Sequence, residues 1–288
     1  MEKYIKMNRL EYIDAAKAIG IVLMIIGHCH IAYIVPYAFN AIYQFHMPLF
    51  LIISGLFYKP LKVKDCLMHY SRSYLWPYIV GCVFTILAVF VLCLFTNYVM
   101  YDEIRRCLVA SFYANGMFSS RENVIMGDIP GIGVCWYLWG LFFALLIYNV
   151  LTHYFSKHLI TIISVCLFLL GSKIGNFILL PFSISSGLSS IIYIHIGFLM
   201  KNVLKSITIQ TVKNNNIYEE LVFLFMVIIL YCYATCRGTI IIAASRFDEG
   251  ILSVIISTLI VFMLLILCKL ANFRGWIGRY TLEIIGVR

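Results

Sequence analysis

The chain has 288 residues, of which 62% are Ala, Val, Ile, Leu, Met, Phe, Trp, Tyr or Cys and only 12% are charged, against about a quarter charged in an ordinary soluble domain. A soluble fold needs a polar shell that this composition cannot supply, as the mean hydropathy of +0.95 also says, so soluble enzymes, nucleic-acid-binding domains and disordered tails are excluded. The net charge of +9 falls in short groups between apolar runs, the pattern of membrane topology and not of a nucleic-acid patch.

The opening MEKYIKMNRLEYIDAAK is too polar and too long for a cleaved signal peptide. A hydrocarbon core of about 30 Å takes about 20 apolar helical residues. Eight segments meet that requirement, over 17–35, 40–57, 75–96, 133–152, 159–174, 187–204, 218–236 and 250–269. Residues 97–132 carry Asp102, Glu103, Arg105, Arg106, Arg121, Glu122 and Asp128. That stretch is too charged to span and too long for a tight turn, so it reads as a non-spanning external loop, a lid or partly re-entrant. From Ile277 the run IGRYTLEIIGVR starts another apolar stretch that covers less than half of a bilayer. The expected fold is all-α, one domain over 1–288, a polytopic transmembrane bundle of eight complete spans plus a partial ninth.

Lys and Arg set the orientation. With the N-terminus cytoplasmic, fifteen of them lie inside (Lys3, Lys6, Arg9, Lys17, Lys59, Lys62, Lys64, Arg72, Lys157, Lys201, Lys205, Lys213, Lys269, Arg274 and Arg279). Six lie outside, namely Arg105, Arg106, Arg121, Lys173, Arg237 and Arg246, a bias that places the N-terminus inside a cell membrane. The ten cysteines sit mostly within apolar runs with no CxxC, and read as small core residues.

Ionisable groups within spans are expensive and point to function. His28 lies eleven residues beyond Lys17, about 16 Å along a helix and so near mid-bilayer. His46 lies thirteen residues before Lys59 on the next, antiparallel span, about 20 Å from the same face. The two histidines therefore reach similar depth on neighbouring helices. A buried neutral imidazole suits proton abstraction from a hydroxyl or thiol, although a structural hydrogen bond between helices is the plain alternative. His30 points about 200° away from His28, so the pair cannot chelate one metal and none is expected. His195 reads as structural. Asp14 and Lys17, three apart, can pair on one helical face. Ser54 and Gly55 at the end of the second span allow a close helix approach or a backbone opening beside a ligand.

These residues together resemble the acyltransferase-3 family of integral membrane acyltransferases, in particular its fucose 4-O-acetylase-like branch. The stretch from Arg9 through Asp14 and Lys17 to Gly27-His28 looks like the family's opening signature, with a basic residue, ten intervening residues and a histidine. Phe45-His46-Met47-Pro48-Leu49-Phe50 to Ser54-Gly55 looks like its second-helix signature. Weaker echoes are Pro77-Tyr78, Trp136-Tyr137-Leu138 and Ile277-Gly278-Arg279-Tyr280-Thr281-Leu282. The family's pair of basic residues at the start of the third helix is met here by His69 and Arg72. The final helix stops before the histidine that relatives usually carry, which reads as a truncated C-terminus.

The resemblance implies transfer of an acetyl or other short acyl group from acetyl-CoA to a hydroxyl of a cell-surface carbohydrate or its lipid-linked precursor. It makes His28 catalytic, with Lys17 of the same motif and His46 of the second-helix signature as its companions in the site. The cytoplasmic cluster Lys59, Lys62, Lys64 and Arg72 would then hold the CoA phosphates, Arg bidentately and Lys as point charges. Tyr33, Tyr37 and Trp136 near the outer ends read first as an interfacial belt and second as sugar-stacking residues. The competing readings are a polysaccharide or lipid-linked-sugar exporter without chemistry, and an inactive truncated relative.

Overall fold

In hydrocarbon every backbone N–H and C=O must find a partner within the protein, and a helix does this locally. The apolar runs accordingly become helices that break at Pro, Gly and charged residues. The computed structural model of the protein describes residues 10–29, 34–96, 98–116, 129–178, 180–206 and 217–270. In chain order they form α1 (Glu11–His28), α2 (Pro36–Tyr43), α3 (His46–Phe57), α4 (Val63–Tyr70), α5 (Trp76–Phe95), α6 (Met100–Tyr113), α7 (Trp136–Tyr154), α8 (Lys157–Phe177), α9 (Ile184–Ser206), α10 (Ile217–Arg237) and α11 (Ile251–Leu270). A small antiparallel hairpin, β1 (Ile240–Ile241) and β2 (Arg246–Phe247), joins the last two, with Ile240 opposite Phe247 and Ile241 opposite Arg246.

Among the described residues six stretches are long and apolar enough to cross a membrane: Pro36–Phe57, Val63–Phe95, Gly133–Tyr154, Lys157–Phe177, Pro181–Ser206 and Ile251–Lys269. The other two expected spans are helices of a different character. α1 carries Glu11, Asp14 and Lys17 in its first two turns, and α10 contributes a shorter apolar stretch, Leu224–Arg237.

Three expectations change in detail. The second span is two helices, because the chain turns at Gln44–Phe45, where Phe45 leaves helical geometry with φ −140° and ψ −17°. The third is preceded by α4 and a wide π-turn, Ser71–Leu75, in which the Trp76 N–H reaches back to the Ser71 carbonyl. Pro77 follows directly; with no N–H of its own it cannot continue an ordinary ladder. The stretch 97–132 contains α6 and is not a bare loop. Lys3, Lys6, Arg9, His30, Tyr33, Arg121, Glu122, Asp128, Lys213, Arg274, Arg279 and the partial ninth span lie outside the described residues.

α9 is the centre of the bundle and packs against α3, α7 and α8. Small residues, Ser185, Ser186, Gly187, Ser189, Ser190 and Gly197, make up nearly half of its buried positions, beside larger ones such as Ile191, Tyr193 and Leu204. Small residues let helix backbones touch, which in lipid replaces the missing hydrophobic drive between helices. A Cβ on Gly171 of α8 would stand 2.7 Å from the Ser189 nitrogen, and one on Gly187 would stand 3.1 Å from the Gly140 carbonyl of α7. The α3 crossing is reciprocal. A Cβ on Gly55 would overlap the Ile194 carbonyl and one on Gly197 the Ile52 carbonyl, each 3.0 Å from the other glycine's Cα.

Polar clamps close the two ends of the bundle. At the Lys17 end, the fully buried Asn149 of α7 reads the loop after α3 like a strand partner. Its Oδ1 accepts from Leu61 N–H at 2.9 Å and from the Tyr58 hydroxyl at 2.9 Å, and its Nδ2 donates to the Leu61 carbonyl at 2.9 Å. Thr152 adds a 2.7 Å contact to the Tyr58 hydroxyl. Burial pushes the Tyr58 phenol up to about 12, against a smaller opposite pull from Thr152, so it remains a neutral donor. Lys269 donates to the Leu204 carbonyl and lies 5.7 Å from the Tyr12 ring, which gathers α11, α9 and α1 at this end.

At the His28 end, Gln44 Nε2 donates to the Ala234 and Gly238 carbonyls at 3.2 and 2.8 Å, and Asn40 to Thr235 at 3.0 Å, satisfying the last carbonyls of α10. Three left-handed turns also lie here, at Ala114, at Phe182–Ser183 and at Ser245, and the Ser183 hydroxyl donates to the Ala114 carbonyl.

Gly55→Ala and Gly197→Ala should each lower stability by about 1–3 kcal/mol through overpacking. Both displace the same contact, so the double variant should cost less than the sum, measurable by thermal unfolding in detergent. Asn149→Ala strands two backbone groups of Leu61 at about 1–3 kcal/mol each, whereas Thr152→Val leaves Tyr58 its Asn149 partner. The first should therefore lower the unfolding temperature clearly more than the second.

Candidate functional site

Among the described residues a cavity opens toward each end of the bundle, and α1 runs past both. The smaller, about 440 Å³, lies at the His28 end. Its walls include His28, Tyr43, His46, Met47 and Trp136, and the hairpin residues 240–243 close one side. The local sequence explains the placement. α1 ends at His28, and Gly27 before it lets α1 approach α2 so closely that a Cβ would lie 3.2 Å from the Tyr43 ring. The turn at Gln44–Phe45 then starts α3 on His46, one turn past Tyr43.

The two histidines are thus brought to one cavity, with the Tyr43 ring as their common neighbour. Tyr43 stands edge-on to both, at 6.2 Å between centroids for His28 and 4.7 Å for His46. His46 is buried, and its Nδ1 contacts the Ile42 carbonyl at 2.9 Å. A carbonyl only accepts, so Nδ1 carries the proton and Nε2 is left as the acceptor. Its neutral tautomer is therefore set by the backbone. His28 sits at the helix end, exposed to its surroundings, with the chemically more open position of the two.

Trp136 opens α7 and is 7% exposed, so it is a cavity wall and not an interfacial belt residue. Gly116, after α6, covers it: a Cβ there would stand 2.6 Å from the indole nitrogen and 2.7 Å from the Ala243 Cβ. The segment between α5 and α7 therefore contributes directly to this cavity. Tyr37 is exposed and lies away from it.

The larger cavity, about 710 Å³, lies at the Lys17 end. Lys17, Lys59, Asp65, His69, Ser54 and Ser73 are among its lining residues. Lys17 has its Nζ 3.9 Å from Asp14 Oδ1 and 5.6 Å from the Phe57 ring. The π-turn matters here, since it carries Ser73 and Tyr74 to the wall. Lys62, Lys64 and Arg72 are exposed and are not among the lining residues, although Lys62 and Lys64 flank the Lys59 loop.

Lys17 and His28, adjacent in the sequence motif, accordingly serve different cavities. The cavities share two lining residues, Phe50 of α3 and Tyr137 of α7. Sequence reasoning missed Tyr43, Tyr137, Asp65 and the cavity position of His69. A signal existed for each: Tyr43 lies three residues before His46, Tyr137 follows Trp136, and Asp65 and His69 share a helical face at i, i+4. His195, by contrast, is held at both nitrogens, by the Tyr148 hydroxyl at 3.0 Å and Thr161 at 2.8 Å, and lines neither cavity. Among the described residues no three His, Cys, Asp or Glu side chains are placed to hold a metal ion.

Comparison with known proteins bears on the whole chain. The profile of the Acyl_transf_3 family, described as an acyltransferase domain, matches residues 10–286. No curated protein and no solved structure gives a significant match. With nearly the full length matched and several membrane-crossing helices around a histidine-bearing cavity, the chain belongs to the acyltransferase-3 family and is a multi-pass membrane acyltransferase.

Proposed function

We propose that the protein is an O-acyltransferase that moves an acetyl or other short acyl group from acyl-CoA, taken from the cytoplasm, to a hydroxyl of a cell-surface carbohydrate or its lipid-linked precursor. The observation that carries this reading is a pair of cavities with Phe50 and Tyr137 in both walls, one lined by Lys17 and Lys59 and one bearing both histidines. On the Lys and Arg bias the Lys17 end is cytoplasmic and the chain crosses the membrane eight times, with the partial ninth apolar run read from Ile277 lying outside the described residues. CoA phosphates cannot enter lipid. Lys59, with Lys62 and Lys64 flanking its loop and Arg72 on the π-turn, would hold them at the surface while the pantetheine arm extends into the larger cavity.

The acceptor enters from the other side. Trp136 and Tyr43 offer aromatic faces to a sugar ring. His28 takes the proton of the acceptor hydroxyl, the oxygen attacks the thioester carbonyl, and a new C–O ester bond forms as the C–S bond breaks. CoA leaves as the thiolate and is protonated from solvent at its own end. The carbonyl end of α1 stabilises the imidazolium formed on His28, which then returns its proton to water. His46, with Nε2 free to accept, orients the hydroxyl. Lys17 belongs to the donor side, near the Asp14 carboxylate.

General-base catalysis contributes about 10²–10⁴-fold, so His28→Ala should reduce transfer of labelled acetyl from acetyl-CoA to a glycan fraction by at least that lower bound in proteoliposomes. Membrane insertion and the unfolding temperature should stay near wild type. Full activity in that variant would overturn the assignment. Trp136→Ala should raise the acceptor KM while leaving the acetyl-CoA KM near wild type, read from the same assay. In cells, loss of the gene should remove acetyl esters from surface glycan; glycan still acetylated but retained inside would instead indicate export.

A further inference from the structure

We propose that Phe50 and Tyr137 form the slot in which the acyl group itself lies during transfer, and that the Phe50 ring sets the longest acyl chain the enzyme accepts. The proposal rests on the two-cavity donor and acceptor reading above and adds the determinant of donor length.

Among the described lining residues only these two belong to both cavities. The sulfur of a thioester reaching from the larger cavity must stay on that side, while the attacking oxygen comes from the smaller one. The carbonyl carbon is then at the boundary, and the acyl tail has the space beside the two rings. Tyr137 and Ser54 both line the larger cavity, and the Ser54 hydroxyl donates to the Phe50 carbonyl at 2.8 Å. The Tyr137 ring, in the walls of both cavities, is one side of the slot.

Phe50 has no polar tether. It is 9% exposed, and a Cβ on Gly20 of α1 would stand 3.1 Å from its Cζ. Gly20 therefore leaves room for the ring, which fills the gap between α1 and α3 at the boundary. A shorter side chain at position 50 opens space where the acyl tail would grow.

One methylene in a fitted apolar pocket changes discrimination by about tenfold or more. Wild-type turnover should fall by about that factor for each methylene from acetyl- to propionyl- to butyryl-CoA. Phe50→Ala, the milder Phe50→Leu, and Tyr137→Leu should each raise the butyryl-to-acetyl turnover ratio about tenfold or more. A second readout needs no turnover: binding of the inert thioethers S-ethyl-CoA and S-butyl-CoA to the full chain in detergent. Wild type should favour the ethyl compound, and the Phe50 variants should narrow or reverse that preference. An unchanged ratio in variants that still transfer acetyl overturns the slot, as does an unchanged thioether preference in variants that have lost transfer. Wild type that binds neither thioether and uses no acyl-CoA overturns the donor reading itself, and this proposal with it.

Discussion

The contact on which the rest of the structure depends is the meeting of α3 and α9 at Gly55 and Gly197, where two helix backbones touch without a side chain between them. Lipid offers no hydrophobic reward for helix association, so close van der Waals contact and interhelical hydrogen bonds must supply it. α9 continues the same device along its length, presenting Gly and Ser faces to α7 and α8 as well. With α9 fixed against three neighbours, the orientation of α3 follows. So do the positions of His46 at its start, Phe50 in its middle and Ser54 near its end.

A functional site inside such a bundle needs space, and tight packing removes space. The chain resolves the conflict by departing from regular helix at chosen places. Gln44–Phe45 breaks the second apolar run and puts His46 at a helix start. The π-turn before Pro77 widens the entry to the third and brings Ser73 and Tyr74 to the larger cavity. Left-handed turns at Ala114, Phe182–Ser183 and Ser245 shape the His28 end. Helix ends and loops leave backbone groups that need partners, and side chains provide them: Ser183 at Ala114, Gln44 at the end of α10 and Asn149 at Leu61.

Much of this was legible in the sequence, and the reasons differ by feature. Apolar runs bounded by Lys and Arg announce helices because composition alone decides which segments can lie in hydrocarbon. The depth of His28 and His46 could be counted, since helical rise is constant, and the structure does bring both to one cavity. That Lys17 and His28 face different cavities was not countable. It depends on how α3, packed against α1, and α7 place Phe50 and Tyr137 in the walls of both cavities. Trp136 was read as a belt residue because an aromatic near a predicted interface has no local mark distinguishing a lipid-facing ring from one covered by Gly116 and Ala243. The basic cluster was read as one unit, yet only Lys59 of its four members lines the cavity, because the Asn149 clamp fixes the loop at Tyr58 and Leu61.

The sequence by itself determined the solvent of this protein, the helical class and the identity of the histidines worth watching, because charge scarcity and helical periodicity are local properties. Its opening motifs also pointed to the family that the full-length match establishes. Only the tertiary structure decided that Lys17 and His28 line different cavities, that Phe50 and Tyr137 stand in the walls of both, and that Tyr43 stands beside both imidazoles. Those facts come from contacts between helices distant in the chain, set by where glycines allow backbones to touch, and no single segment contains them.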